Sequence, residues 1–217
     1  MTATVDDGFA PWLADGATFE DDYPIIEALP ETVPFPKQLI PVDQLGKNVK
    51  TDGFAHFYLN DARFRPFISH LPQRLRTLRR YDGVITPDFS VYRDAPRPVQ
   101  MANVYRNRAV GSYMQHNGIP TITDVCWADE KSYSFCFKGA PHHSIVAVST
   151  VGIMRKGEER LVFRKGFDRM MEVLEPTRVI FNGEMPEEFI AEYRSSTSFK
   201  AYPCWTRMMK EQTNGTR

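Results

Sequence analysis

The 217-residue chain carries 27 basic and 27 acidic residues, so its net charge predicts neither a polyanionic partner nor a membrane surface. Its length suits one full-sized core, and 42% apolar with 25% charged residues is typical of a soluble globular protein. The three cysteines are widely spaced and form no Cys-x-x-Cys pair, so their pattern indicates neither a disulfide framework nor a zinc site. The acidic N-terminus lacks a secretory signal and no apolar run is long enough to span a bilayer, so we expect a cytoplasmic protein without a membrane partner.

Charge is distributed unevenly along the chain. Residues 1–50 are rich in proline and acidic residues, and their aromatic side chains need burial, which predicts an irregular arm packed on the body. The segment Arg63–Arg80 has six arginines and no acidic residue. It either lies against the acidic arm or presents a basic face to phosphates or nucleic acid, for which the candidate residues are Arg74, Arg76, Arg79 and Arg80.

After the arm, strand and helix patterns alternate. The predicted strands are residues 54–59, 84–86, 121–126, 144–150 and 178–181, and the predicted helices are residues 61–81 in two pieces, 98–117, 158–174 and 186–193. This order predicts a single α/β domain over residues 51–205, with a mostly parallel sheet of about five strands flanked by helices. An open doubly wound sheet is favoured over a shortened barrel, and residues 206–217 are expected to form a flexible tail.

Polar side chains follow the predicted strands, and in a parallel sheet their carboxyl ends lie at one edge. The candidate catalytic residues there are Asp88, Ser90 and Asp129, and the candidate ligand-binding residues are Gln100, Asn103, Arg106, Trp127, Ser149 and Asn182. Asp124, inside its strand, could point to the same edge. Converging carboxylates could bind a divalent metal or act as a general acid and base. The same residue types also cap helices, which is the competing interpretation for most of these positions.

Familiar catalytic motifs are missing from the sequence. It contains no HExxH, Walker A, GxGxxG or GxSxG pattern, and no Cys/His pair at zinc spacing. His142 and His143 would lie at the amino end of a strand, away from the predicted site.

Four segments carry a resemblance to a known family. They are Val-Ile-Thr-Pro-Asp-Phe-Ser-Val-Tyr (84–92), Gln-Met-Ala-Asn-Val-Tyr-Arg-Asn-Arg-Ala (100–109), Asn-Gly-Ile-Pro-Thr-Ile (117–122) and Val-Ala-Val-Ser-Thr-Val-Gly (146–152). Over about residues 54–183 the chain resembles an uncharacterised domain-of-unknown-function family of bacteria, phages and mobile elements. The resemblance implies a fold and a genomic setting but no activity.

Three functional hypotheses remain open. The first is an α/β enzyme or binding protein for a nucleotide or other phosphate-bearing ligand, with Asp88 as the central carboxylate and Arg106 holding an anion. The second is a nucleic-acid-binding accessory protein that uses the Arg63–Arg80 segment. The third is an interaction module that modulates a host protein through the Pro-rich arm and the Cys204-Trp205 segment.

Overall fold

The computed structural model describes residues 10–46, 51–153 and 157–205. The first nine residues of the predicted arm and the predicted flexible tail, residues 206–217, lie outside these described ranges. Two short strands of the arm, β1 and β2, form an antiparallel pair. The other seven strands form one sheet, in which every strand is parallel to its neighbours and lies beside the strand before it in sequence. The strands are β1 (Phe19–Glu20), β2 (Tyr23–Pro24), β3 (Leu39–Pro41), β4 (Phe54–His56), β5 (Gly83–Ile85), β6 (Thr121–Asp124), β7 (Ile145–Ser149), β8 (Arg178–Asn182) and β9 (Ser198–Tyr202).

The α-helices connect β4 to β5, β5 to β6, β7 to β8 and β8 to β9, and they supply most of the core on one side of the sheet. They are α1 (Asp61–Ser69), α2 (Leu71–Leu78), α3 (Arg97–His116), α4 (Gly157–Leu174) and α5 (Glu187–Ile190). Helix α4 buries Phe163, Phe167, Met170 and Leu174, which recur at helical spacing. No helix in the described part of the chain is both long and apolar enough to cross a membrane.

The predicted α/β domain with a parallel sheet is confirmed, but the sheet has seven strands rather than five. The two additional strands are the edge strands β3 and β9. Strand β3 has three residues and ends in a proline, and β9 has a mixed polar sequence, so neither has the apolar run that marks the inner strands. The strand order never reverses, so there is no topological switch point, and the curled sheet is the shortened barrel rather than the doubly wound alternative.

One segment of the arm covers the face of the sheet opposite the helices, whereas the first described part of the arm packs against α3. Leu29, Val33 and Phe35 pack on a cluster of inward-facing strand residues that includes Ile85, Ile122 and Ile180. Polar contacts fix the same segment, because Lys200 Nζ donates to the Pro36 carbonyl at 2.9 Å and Arg178 donates to the Val33 carbonyl. The acidic residues Glu20 and Asp21 pair with Lys138, and Arg63 pairs with Asp43.

Candidate functional site

Two carboxylates and a thiol meet at the carboxyl ends of β5 and β6. Asp124 is the last residue of β6, and Cys126 follows two positions later, so extended backbone directs both side chains to the same side. Asp88 comes from the loop after β5. Carboxylate oxygens of Asp88 and Asp124 and the Cys126 sulfur lie within 4.8 Å of one another. This edge is where barrel-type α/β proteins place their chemistry.

Helix α3 holds these strand ends in place through two buried polar residues. Asn107 Nδ2 donates to Thr86 Oγ1 at 2.9 Å and to the Pro87 carbonyl at 2.7 Å, immediately before Asp88. Arg108 is 1% exposed and donates to the carbonyls of Asp124 (3.2 Å), Cys136 (2.8 Å) and Lys138 (2.8 Å). The Asp124 amide in turn donates to Thr86 Oγ1 at 2.8 Å. The backbones on both sides of the cluster are therefore fixed by one helix.

The Asp124 side chain is buried with only one of its oxygens paired. Tyr58 donates its hydroxyl proton to Asp124 Oδ1 at 2.7 Å. Asp124 Oδ2 is buried and has no hydrogen-bond partner among the described residues. Burial, with a smaller contribution from the charge of Asp88, raises the pKa of Asp124 well above its usual range. An unpaired buried carboxylate oxygen is costly unless a proton or a cation reaches it.

Burial also raises the pKa values of the two neighbouring groups, Asp88 and Cys126. Burial, with a smaller contribution from the charge of Asp61, raises the pKa of Asp88 to about 6. Burial also raises the pKa of the Cys126 thiol well above its usual range, and the two carboxylates add to this effect. Without a cation, Asp124 and Cys126 therefore favour their protonated forms near neutral pH, whereas Asp88 loses its proton as the pH rises through about 6.

A cavity of about 660 Å³ opens onto the cluster. Its described lining includes the acidic residues Asp88, Asp94, Asp124 and Glu159, whereas Arg93 is its one basic residue and pairs with Glu158 at 2.9 Å. The volume falls in the range of small-molecule sites. Acidic residues therefore predominate among the charged residues of the described lining.

Aromatic side chains form another part of the cavity lining, here called the aromatic wall. Trp127 and Phe163 both line the cavity, with their ring centroids 5.2 Å apart. Gly166 of α4 makes room for the indole, since a Cβ built there would lie 2.1 Å from Trp127 Nε1. Tyr92, 64% exposed, lies at the same cavity.

Four of the candidate catalytic and ligand-binding residues from the sequence lie at this cavity: Asp88, Ser90, Trp127 and Ser149. Ser90 Oγ donates to Asp61 Oδ1 at 3.4 Å. Asn182 is not among the lining residues but donates to Ser149 Oγ at 3.1 Å, which orients that hydroxyl. The structure thus places these five residues in or directly behind one cavity.

The other predicted site residues lie outside the cavity lining. Asp129 caps the 3-10 helix Glu130–Ser134 by accepting from the Lys131 amide at 3.0 Å. Gln100 donates to the carbonyls of Tyr92 and Ala95, and Asn103 donates to the Ser90 carbonyl at 2.7 Å. Arg106 donates to Asn103 Oδ1 at 3.2 Å. The side-chain amides of Gln100 and Asn103 on α3 thus hold the loop that carries Asp88 and Ser90.

The sequence analysis did not assign Cys126 or Tyr58 to the site. An Asp–x–Cys pair at a strand end was a usable signal for Cys126, because alternate residues of extended chain share a side. Tyr58 follows β4 and lies 66 residues from Asp124, so only the fold brings them together. The arginines of the alternative interface, Arg74, Arg76, Arg79 and Arg80, are all exposed on α2 or just after it.

These observations define the chain as a parallel α/β protein with a half-barrel sheet and an acidic cavity at its carboxyl edge. Residues 20–203 match the profile of the family described as "Domain of unknown function (DUF4417)", and the chain belongs to that family. This confirms the resemblance seen in the sequence.

Two curated phage proteins are similar to the chain. The Gene 1 protein of Mycobacterium phage D29 is 32% identical over 160 residues, which is 73% of this chain and 58% of that protein. The Gene 1 protein of Mycobacterium phage L5 is 35% identical over 136 residues, 63% of this chain and 59% of that protein. The chain thus spans less than two thirds of the length of either relative. No solved structure matches it.

Proposed function

We propose that this protein binds, and acts on, a nucleotide or other phosphate-bearing molecule in the cavity at the carboxyl ends of β5, β6 and β7. The observation that carries the proposal is the position of Asp88 and the buried Asp124 at one side of a cavity of about 660 Å³. Proteins with an α/β fold place their ligand-binding and catalytic groups, carboxylates among them, at this edge of a parallel sheet.

The charge of the cavity sets a condition on the ligand. In the described part of the lining, four acidic residues and a single arginine, itself paired with Glu158, would repel a bare phosphate. A divalent cation between the carboxylates and the phosphate removes that repulsion, which is a common way for carboxylate sites to hold phosphates. The proposal therefore requires binding that depends on a cation. Arg106, the anion-binding candidate from the sequence, lies outside the lining and is not needed for this arrangement.

The aromatic wall favours a nucleotide over a simple phosphate ester. Trp127 and the exposed Tyr92 offer ring surfaces on which a base can stack, and such stacking tolerates any base. Ser90 and Ser149 add hydroxyl groups to the cavity lining. A nucleotide has a base that can stack on these rings and phosphates that a cation can link to the carboxylates.

Calorimetric titration of a panel of nucleoside mono-, di- and triphosphates and sugar phosphates, each with and without a divalent cation, tests the proposal. At least one compound should bind at one site per chain, and only with the cation. Asp88→Asn should weaken that binding by about tenfold or more, or about 1.4 kcal/mol. Asp129→Asn is the matched control and should leave the affinity unchanged, because asparagine preserves its helix cap. If no compound binds, or if Asp88→Asn binds like the wild type, the proposal is wrong.

Nucleic-acid binding is the second candidate, and the exposure of the four arginines on and after α2 is the observation that favours it. Such binding would weaken steeply with salt as counterions are released from the phosphates. A gel shift at low salt, repeated with all four arginines changed to glutamine, separates it from the cavity proposal, which predicts no effect of those changes on small-ligand binding.

The host-protein alternative draws on the Pro-rich arm and the Cys204-Trp205 segment. In the structure, part of this arm packs on the sheet of the same molecule through Leu29, Val33 and Phe35. Those side chains therefore contribute to the fold, and this alternative has less support than the other two.

A further inference from the structure

We propose that Asp88, Asp124 and Cys126 form a site for one divalent cation of the zinc class. The proposal deepens the proposed function, because it names the cation on which phosphate binding at this cavity would depend. It rests on three donor atoms within 4.8 Å of one another and on the unpartnered, buried Oδ2 of Asp124.

The donor set decides which cation fits. A thiolate with two carboxylates suits zinc or a similar transition metal, whereas magnesium and calcium prefer oxygen ligands alone. Zinc bonds of about 2.0–2.3 Å place tetrahedral ligands within about 4 Å of one another, so any pair of donors near the 4.8 Å limit must draw in around the ion. Asp88 and Cys126 have room for this adjustment, because both are only partly buried.

The surroundings of Asp124 also suit a metal ligand. Tyr58 holds Oδ1 at 2.7 Å and thereby directs Oδ2 away from itself, while the backbone of Asp124 is fixed by Asn107 and Arg108. Hydrogen bonds of this kind orient metal ligands and tune their affinity. Thus the most buried donor is also the one with the least freedom to move.

Three protein donors facing an open cavity resemble a catalytic zinc site more than a structural one. Structural zinc sites use four protein ligands, whereas catalytic sites keep one position for water or substrate. All three residues line the cavity, so a fourth position would face it. A phosphate oxygen of the ligand is the group expected there.

The full chain, stripped of metal with a chelator, is titrated with zinc alone by calorimetry and by competition with a zinc-binding dye. One equivalent should bind with a dissociation constant of about 1 μM or lower. Cys126→Ser and Asp88→Asn should each weaken binding by about tenfold or more. Cobalt should give a thiolate-to-metal charge-transfer band that Cys126→Ser abolishes.

Two control variants test whether zinc binds at this cluster rather than elsewhere on the protein. Cys204→Ser changes a thiol outside the cavity lining and should leave zinc affinity unchanged. His142→Ala with His143→Ala removes an exposed pair that could hold zinc at the surface and should also have no effect. Circular dichroism and urea unfolding confirm that each variant folds.

The proposal is overturned if no stoichiometric zinc binds, or if zinc binding survives both Cys126→Ser and Asp88→Asn, whether or not the histidine changes affect it. Because zinc is titrated without any phosphate compound, this result is independent of the ligand panel. If zinc binds but no compound of the panel does, only the proposed function is refuted. If a compound binds with another divalent cation but the protein does not bind zinc, only this inference is refuted.

Discussion

Individual buried polar residues explain much of how this site is built. His56 at the end of β4 is 2% exposed, and its Nδ1 accepts from the Tyr58 amide at 3.1 Å. This bond requires an unprotonated Nδ1. Tyr58 then donates its hydroxyl to Asp124, so a neutral imidazole supports the residue that orients the buried carboxylate.

Acidification should therefore destabilise the protein through His56. Burial lowers the pKa of His56 from 6.5 to about 3, although the charge of Asp43 opposes the shift. A depressed histidine pKa means that the unfolded chain binds the proton first. Its stabilising contribution is thus complete above pH 6.5 and is lost as the pH falls from 6.5 towards 3.

The contribution of His56 can be measured by comparing the pH dependence of stability in the wild type and in a variant that lacks the imidazole. At pH 5 the loss relative to pH 7 should be about 2 kcal/mol. His56→Asn keeps an acceptor near Nδ1 but does not titrate, so it should lack this loss in urea unfolding at the two pH values. Asp88 and Asp124, whose pKa values are raised, act in the opposite direction in both proteins and cancel in the comparison. Equal pH dependence in the two proteins would contradict this assignment.

The close approach of Gly166 to Trp127 gives a second residue-scale prediction. A Cβ at Gly166 would lie 2.1 Å from Trp127 Nε1, and the indole is also bounded by Phe163 and Phe137. Gly166→Ala should displace the ring and cost about 1–3 kcal/mol in urea unfolding. Gly157→Ala in the same helix meets no atom within 4 Å and should be neutral or slightly stabilising. Equal effects would show that the indole has room to move.

Among the secondary-structure elements, α3 connects the helix layer to the site. Its interior positions combine apolar residues with the buried polar residues Gln100, Asn107 and Arg108. The sequence predicted ligand-binding roles for Gln100, Asn103 and Arg106 of this helix, but Gln100 and Asn103 donate to carbonyls of the neighbouring loop. Asn107 and Arg108, for which no role was predicted, also donate to backbone carbonyls, which they reach only because the loops after β5 and β6 fold back onto the helix.

Loss of the Arg108 guanidinium should therefore destabilise the fold. Arg108→Met keeps the length of the side chain but leaves the buried carbonyls of Asp124, Cys136 and Lys138 without this donor. At about 1–3 kcal/mol for each buried carbonyl left unpaired, the expected loss is about 3 kcal/mol or more in chemical unfolding. Arg97→Met, an exposed position in the first turn of the same helix, should change stability by no more than about 0.5 kcal/mol. Similar values for both variants would argue against a structural role for the buried arginine.

The strands differ in how far the sequence predicts them. The inner strands are recognisable because burial on both faces selects continuous apolar runs, as in Ile145–Ser149. The edge strands β3 and β9 pair on one side only, which relaxes that selection and lets proline and lysine appear in them. Local patterns therefore found the centre of the sheet and missed both of its edges.

At the scale of the whole molecule, sequential strand order determines both the shape and the location of the site. Each strand lies beside its predecessor, so the sheet curls, and its inner face is filled by the arm segment that includes Leu29, Val33 and Phe35. The carboxyl edge remains accessible as a cavity. The sequence predicted this edge as the location of a site and named Asp88. Contacts between distant segments, such as Tyr58 with Asp124, depend on the curvature and could not be predicted from spacing.

The most direct test of the central claim is the location of phosphate-ligand binding. We would measure by calorimetry, with a divalent cation present, the affinity of the tightest compound in the panel for three proteins: the wild type, Asp88→Asn, and a variant combining Arg74→Gln, Arg76→Gln, Arg79→Gln and Arg80→Gln. The cavity account predicts a loss of about tenfold or more for Asp88→Asn and a change within about twofold for the arginine variant. Binding that is lost with the arginines and retained in Asp88→Asn would contradict it.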